Sequence, residues 1–213
     1  LEEKRTALIS HAVTKGLNPD AELKDSGIEW LGQIPKEWEV KKLKYCSQNI
    51  KTGGTPPTEY IVPDGELDWF TPGDFDGALY LGNSKRRLSQ AASDDKVVRF
   101  FPERSILIIG IGATLGKVAL TEKKCSANQQ INFVVPSADC SPEFLVYFLS
   151  LHRETMRLLS DSATLGIMNQ EKTGLLPIPC PSKEQQEAIV EYVHAQTARF
   201  DALKTKITRA IEL

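Results

Sequence analysis

The sequence predicts an α+β protein in which a mostly antiparallel β globule is flanked by N- and C-terminal coiled-coil helices. Short runs rich in β-branched and aromatic residues fill the middle of the chain, bounded by Gly, Pro and Asp, with no helical pattern between them. Both ends instead carry apolar residues at helical spacing. Of the 213 residues, 41% are hydrophobic and 25% charged, which is typical of an ordinary globular protein with one core.

The first element is a helix over residues 1–16. It is predicted to end at Gly16, and Leu8 and Ala12 lie on its apolar stripe. The stretch that follows, as far as Pro35, is polar and rich in turn residues. We therefore expect an ordered connector there and no further helix.

Several strands and one helix are predicted for the globule. Pro142–Leu159 has the apolar spacing of a helix, and Ser160–Gly174 is predicted to be a polar loop. Leu175–Cys180 is expected to be extended. The predicted strands are Leu67–Thr71, Ala78–Leu81, Lys96–Phe101, Ser105–Ile111, Lys117–Thr121 and Ile131–Val135.

A long helix is predicted for residues 182–213. Ser182 stands at the N-cap position, and Gln185 completes a capping box with it. Apolar residues then recur at alternating steps of four and three, with one polar position, which is typical of a coiled-coil seam. The seam positions are Ile189, Val193, Gln196, Phe200, Leu203, Ile207 and Ala210.

The two terminal helices are predicted either to form a helical connection by pairing or to pack on the domain. Joined tail to head, the ending I-T-R-A-I-E-L and the opening L-E-E-K-R-T-A-L-I-S would form one amphipathic helix. We expect the helices to pair with each other or with those of a second copy, because an open seam would expose a large apolar surface. The alternative is that both simply pack on the domain.

The motif G-I-G-A-T-L-G-K, ending at Lys117, is similar to a phosphate-binding loop but does not match one. The first glycine of that loop is replaced by Ile111, and Val118 stands where Ser or Thr is needed. We predict a tight turn between two strands, with Thr114 and Lys117 at its tip. Nucleotide binding is not expected.

Polar and basic residues in four stretches are candidates for contact with DNA. The loop T-G-G-T-P could present hydroxyl groups from Thr55 and the nearby Tyr60, although a purely structural role is also open. Arg, Asn and Gln side chains suit base edges and phosphates. The remaining candidates are Asn83, Lys85, Arg86, Arg87, Thr114, Lys117, Asn128, Gln129 and Gln130, for which a solvated face or internal hydrogen bonds are the structural alternatives.

No catalytic or metal-binding pattern is present in the sequence. The four cysteines form no C-x-x-C pair, and no nucleophile, metal or methyltransferase motif occurs. No apolar run is long enough to span a bilayer, so we expect a cytoplasmic protein without membrane contact. The formal net charge of −2 gives no global argument for nucleic acid.

The order of six motifs nevertheless resembles a known family. The series is W-L-G-Q-I-P-K-E-W-E-V-K-K-L, T-G-G-T-P, W-F-T-P-G-D-F, G-A-T-L-G-K-V-A, C-S-A-N-Q-Q-I-N and L-P-I-P-C-P-S-K-E-Q-Q-E-A-I-V. It resembles the specificity (S) subunits of type I restriction-modification enzymes. The resemblance covers the chain from Trp30 to Val190.

The resemblance implies a DNA-recognition subunit that is not itself an enzyme. Residues 17–181 would be a target recognition domain reading one half of a bipartite site in double-stranded DNA, residues 1–16 the end of a spacer helix, and 182–213 a long spacer helix. Family members usually carry two recognition domains, so this chain resembles a half-subunit, either natural or a fragment cut within the spacer helices.

The implied partners are methyltransferase (M) subunits and a restriction (R) subunit, besides a possible homodimer through the spacer helices. S-adenosylmethionine, ATP and Mg are then expected only on the partner subunits, and no cofactor on this chain. The alternative function is a stand-alone dimeric DNA-binding regulator, which would bind its site without any partner.

Overall fold

The structure, a computed structural model, describes residues 2–160 and 166–211, with side chains as far as Thr208. The chain forms two compact units, one of Leu1–Val40 with Pro179–Leu213 and the other of Lys41–Ile178. The connector after Gly16 therefore groups with the terminal helices, whereas the sequence assigns it to the globule. The chain passes between the units within the third and the last strand.

The secondary structure is mixed, as predicted. The helices are α1 Glu2–Lys15, α2 Ala91–Asp94, α3 Pro142–Leu151, α4 Arg153–Leu159, α5 Gln170–Leu175 and α6 Lys183–Ile211. The strands are β1 Leu23–Asp25, β2 Gln33–Pro35, β3 Glu39–Lys42, β4 Ser47–Thr52, β5 Leu67–Phe70, β6 Tyr80–Leu81, β7 Arg87–Leu88, β8 Ile106–Ile109, β9 Val118–Thr121, β10 Cys125–Ala127, β11 Ile131–Pro136 and β12 Pro177–Cys180.

In the first unit, α1 and α6 lie against each other, so the two terminal helices do pair within one chain. Arg5 forms an ion pair with Asp201 at 2.9 Å, and Lys204 with Glu2 at 3.1 Å. The predicted end of α1 and the predicted start of α6 are confirmed. Gly16 follows α1 with φ +76°, and the capping box joins the backbone N–H of Ser182 to Gln185 at 3.1 Å and that of Gln185 to Ser182 at 3.3 Å. Strands β1 and β2 form an antiparallel hairpin within the connector.

The buried positions of α6 coincide with the predicted seam near the start of the helix and depart from it further along. Ile189, Val193 and Ala12 of α1 are buried. The next buried position is Thr197, whereas Gln196 is half-buried. From Gln186 to Thr197 the buried positions are separated by steps of three, four and four, which add up to 11 residues. Three turns of a straight helix contain about 11 residues, so this spacing keeps one face inward without the supercoil that a seven-residue repeat requires.

The outer part of the seam is more open. Leu8 and Phe200 are half-buried, while Leu203 and Ile207 are 45% and 42% exposed. The side chain of Ala210 lies outside the described residues.

The second unit contains a five-stranded and a three-stranded sheet. Their strand orders are β4-β11-β8-β9-β6 and β10-β5-β7. Only β10–β5 and β6–β9 are parallel among these neighbouring pairs, so the predicted mostly antiparallel arrangement is confirmed. The core between them includes Phe101 stacked on Phe133, with ring centroids 3.7 Å apart.

Four local predictions need correction. Lys96–Phe101 is not a strand. Val98 is apolar because it packs against Trp69 and Leu88 in the core, and not because it belongs to a sheet. The strand β10 occurs instead in the short stretch that follows β9. The helix predicted over Pro142–Leu159 is two helices, since His152 has φ −108° and ψ 30°.

The predicted polar loop contains α5, for which Asn169 is the N-cap because its side chain accepts a hydrogen bond from the Lys172 N–H. Residues 161–165 of that loop lie outside the described residues. Across the part of the chain that is described, no helix has the length and apolar character needed to cross a membrane.

Candidate nucleic-acid interface

The stretch Trp69–Phe75, the end of β5 and the turn after it, contacts four of the predicted site residues, which are Lys85, Arg86, Lys117 and Asn128. Trp69 is 3% exposed, and its indole Nε1 donates to the Gly54 carbonyl at 2.9 Å. Past the strand, the Asp74 carboxylate accepts from both the backbone N–H and the hydroxyl of Thr71, at 2.7 and 2.8 Å. These bonds close the turn, because a carboxylate three residues after a threonine can return to its backbone. We call Trp69–Phe75 the Trp69 segment.

The T-G-G-T-P loop is fixed between the Trp69 segment and the start of β11. The N–H groups of Gly53 and Gly54 donate to the carbonyls of Ile131 and Ala127 at 3.0 and 2.8 Å. A Cβ atom at Gly53 would lie 2.2 Å from the Ala127 oxygen. The loop therefore needs glycine for close backbone packing, which is the structural alternative. Its exposed Thr55 nevertheless donates a hydrogen bond to the Gln129 side chain.

The three amide residues before β11 divide into two kinds. The amide of Asn128 donates to Gln130 at 2.9 Å and its oxygen accepts the backbone N–H of Gln130 at 3.1 Å, so these two residues form the turn. Asn128 also donates its own N–H to the Phe70 carbonyl at 2.9 Å. Gln129 is exposed beside Thr55. Of the three amides, Gln129 is therefore the one placed to meet a ligand.

A buried carboxylate holds Ser84 and Arg87, the residues on either side of Lys85 and Arg86. Asp68, 3% exposed, accepts from the backbone N–H and the hydroxyl of Ser84 at 2.8 and 3.0 Å and from Arg87 at 3.0 Å. Arg87 also donates to the carbonyls of Gly65 and Glu66 at 2.6 and 2.9 Å. Its guanidinium is thereby occupied inside the unit.

Lys85 and Arg86 point away from that internal network. Both are exposed. Lys85 donates to the Gly73 carbonyl at 2.6 Å, and the Arg86 guanidinium carbon lies 6.0 Å from the centre of the Trp69 ring. Within residues 2–160 and 166–211, neither forms an ion pair with a carboxylate. Their positive charges are thus available to an anion such as a DNA phosphate.

Tyr60 and Asn83 make internal hydrogen bonds with charged neighbours. The Tyr60 hydroxyl donates to Asp95 at 2.9 Å, and this bond, with burial, raises the pKa of Tyr60. The Asn83 oxygen accepts from Lys123 at 3.2 Å. Tyr60 keeps an acceptor oxygen and Asn83 its amide donors, so neither position loses its capacity to bind a ligand.

Residues 110–117 connect β8 to β9, which pair antiparallel, so the predicted connection between two strands is confirmed but is longer than a tight turn. Val118 begins β9 and no helix follows, which is why the phosphate-loop match fails. One detail of the prediction is wrong. Lys117 is half-buried and donates to the Phe75 carbonyl at 3.0 Å, so it does not stand at the tip. Thr114 is half-buried in the turn.

The Trp69 segment thus connects three of the predicted groups: the T-G-G-T-P loop with the amide turn, the basic residues before β7, and Lys117. In the sequence this segment contributes to a predicted strand and to the family resemblance, and none of its residues is predicted as a site. The Thr71-x-x-Asp74 spacing, typical of a backbone cap, is the signal that predicts its rigid turn. Asp68 and Arg153 are likewise outside the predicted set. No group of three potential metal ligands occurs among the described residues.

Comparison with known proteins connects this arrangement to one family. The family model of the type I restriction modification DNA specificity domain matches residues 35–213. The MjaIX type I specificity subunit of Methanocaldococcus jannaschii is 29% identical over 177 residues, which cover 80% of this chain and 39% of that protein. The HindI specificity subunit of Haemophilus influenzae is 31% identical over 158 residues, covering 71% of this chain and 33% of that protein.

Solved structures share the fold. The HsdS subunit from Thermoanaerobacter tengcongensis superimposes with a TM-score of 0.68 at 19% identity, over 96% of this chain and 45% of that one. A chain from a study of type I R-M complex assembly and conformational transition gives 0.71 at 20% identity, over 98% of this chain and 48% of that one. The chain thus spans less than half the length of these relatives.

Proposed function

Because the chain belongs to the type I restriction modification DNA specificity domain family, we propose that it is a non-catalytic specificity subunit that reads one half of a bipartite DNA target. The observation that carries this proposal is the family match over residues 35–213, which includes the whole second unit. The chain spans 39% of the MjaIX subunit and 33% of the HindI subunit. One recognition unit per chain is consistent with that share.

The proposed DNA face consists of the exposed residues around the Trp69 segment. Lys85 and Arg86 carry charge that no described carboxylate neutralises, so they would hold backbone phosphates. Thr55 and Gln129 lie side by side and would read base edges, since a glutamine amide offers a donor and an acceptor to adenine. Arg87, Asn128 and Gln130 would shape the face from inside.

The partners belong to the same proposal. The terminal helices would dock methyltransferase subunits and a restriction subunit, and these would carry S-adenosylmethionine, ATP and Mg. The pairing of α1 with α6 supports the idea of a helical connection between recognition units. One of the structural relatives comes from work on complex assembly in a type I R-M system, which is consistent with such partners.

The direct test is selection of bound sequences from a randomised duplex library, with the chain alone and with methyltransferase subunits. We expect one short half-site to be enriched when those subunits are present. Equal enrichment by the chain alone would favour the stand-alone regulator. Failure to enrich any sequence under either condition would exclude both.

The same selected duplex tests the reading residues. Gln129→Ala should lose discrimination between the selected site and a single-base mismatch, by roughly 1–3 kcal/mol for a lost base contact. The matched control is Gln48→Ala, an exposed glutamine on β4. If both variants discriminate as well as the parent, Gln129 is not a reader.

A further inference from the structure

A small cationic pocket lies beside the G-A-T-L-G-K turn. Its volume is about 220 Å³, and its lining includes Phe75, Gly116, Lys117, Ser150 and Arg153. Among the described residues that line it, Lys117 and Arg153 alone are charged. A pocket with two cations and no carboxylate suits an anion.

Neutral acceptors hold both cations in place. Arg153 donates from Nε to the Leu115 carbonyl at 3.2 Å and from Nη2 to that of Ala113 at 3.3 Å. Lys117 donates to the Phe75 carbonyl at 3.0 Å. These bonds orient the side chains but leave their charge unneutralised, and within the described ranges neither residue forms an ion pair.

Donors remain on both side chains. A guanidinium has five N–H donors and an ammonium three, whereas the bonds above use two and one of them. An arginine beside a lysine combines a fork-shaped donor with a point charge, a combination suited to a phosphate oxyanion.

Gly116 allows the two cations to come together. Its φ is +80°, and a Cβ atom there would lie 2.9 Å from the backbone oxygen of Arg153. Any other residue would therefore push α4, which begins at Arg153, away from the turn. The motif that fails as a nucleotide-binding loop thus builds a cationic site by a different route, with side chains in place of backbone N–H groups.

We propose that this pocket binds a single phosphate of the DNA backbone, shared by Lys117 and Arg153. The proposal rests on the proposed function, because it assumes that DNA lies along the Trp69 segment. Phe75 both ends that segment and accepts the hydrogen bond from Lys117, so the pocket adjoins the proposed DNA face. Lys117 would then bind the same phosphate as Arg153, and the two cations would make one phosphate contact between them.

The test compares Lys117→Gln, Arg153→Gln and the double variant with Arg157→Gln. Arg157 is the matched control, since it is an exposed cation on the same α4 whose ion-pair partner is Glu154. The full chain, with methyltransferase subunits, is titrated with the selected duplex and an unrelated duplex from 0.1 to 1 M salt. Losing one phosphate contact makes the salt slope shallower by about 0.9, so the variant's affinity deficit is largest at 0.1 M and shrinks about eightfold by 1 M.

The salt slope of the double variant distinguishes one shared phosphate from two separate ones. If both cations hold one phosphate, the double variant loses about one unit of slope, whereas two separate contacts would lose about two. The losses should be equal on both duplexes. Slopes that match the Arg157→Gln control, or a two-unit loss in the double variant, would overturn the shared site. Parent protein that binds neither duplex would instead overturn the proposed function.

Two further arms address folding and a free anion. Arg153→Lys keeps the charge and should therefore keep the salt slope of the parent. If Arg153→Gln lowers the melting temperature, the slope of Arg153→Lys still shows whether the charge contacts DNA.

Inorganic phosphate is titrated into the parent chain by calorimetry. Saturable phosphate binding that leaves DNA affinity unchanged would assign the pocket to a free anion and overturn the proposal.

Discussion

At the scale of single residues, the buried carboxylate of Asp68 organises the chain before β7. It accepts three hydrogen bonds, two from Ser84 and one from Arg87. Together these bonds fix the stretch that carries Lys85 and Arg86. Removing one member of a buried ion pair costs more than the pair itself contributes, because the remaining charge loses its partner.

We therefore expect Asp68→Ala to lower the free energy of unfolding by about 3–5 kcal/mol. The matched control is Asp64→Ala, since Asp64 is exposed a few residues before and should change stability by no more than about 0.5 kcal/mol. Urea denaturation of both variants measures the difference. Equal unfolding midpoints would contradict the structural role of Asp68.

Residue types alone do not reveal which way a side chain points. Asn128, Gln129 and Gln130 are equivalent candidates in the sequence, yet the bonds between the first and the third leave the middle one outside. The same holds for Arg86 and Arg87, because a carboxylate distant in the chain, Asp68, captures the second. Sequence predicts the composition of the candidate site but not its internal bonds.

At the scale of elements, signals confined to neighbouring residues predict best. The capping box of Ser182 and Gln185 and the end of α1 at Gly16 are confirmed because each depends on residues a few positions apart. Strand β10 escapes prediction because its three residues, Cys-Ser-Ala, are neither β-branched nor aromatic. Lys96–Phe101 has β-type residues but packs them into the core without a ladder.

The T-G-G-T-P loop provides a sharp test of close packing. Gly53→Ala would place a Cβ atom 2.2 Å from the Ala127 oxygen, a backbone clash that side-chain movement cannot relieve. We expect a loss of about 1–3 kcal/mol in unfolding free energy, or more.

The control for this test is Gly82→Ala, where a Cβ atom would meet nothing within 4 Å. This change should be neutral or slightly stabilising, because alanine restricts the unfolded chain. Thermal denaturation of both variants is the measurement. A Gly53→Ala protein as stable as Gly82→Ala would show that the loop is not packed against β10.

At the scale of the whole molecule, α6 has an apolar stripe that α1 covers incompletely. Leu203 and Ile207 are 45% and 42% exposed. Because exposed apolar stripes favour association between helices, we expect the chain to self-associate. Its mass in light scattering should then exceed the 23.7 kDa of one chain.

Ile207→Asp should return the mass to that of one chain, whereas Lys206→Asp, at the neighbouring exposed position, should not. Sedimentation across a concentration range provides an independent measurement. If the parent and both variants have the same mass at all concentrations, the stripe does not support a homodimer.

The pairing of β4 with β11 also determines the order of events during synthesis. Thr52 and Asn132 are register partners 80 residues apart in sequence. At roughly 5–20 residues per second on a ribosome, β4 waits on the order of 10 s before β11 exists. The five-stranded sheet therefore cannot close progressively from the N-terminus, and we expect slow folding in which β4 pairs only after β11 has been synthesised.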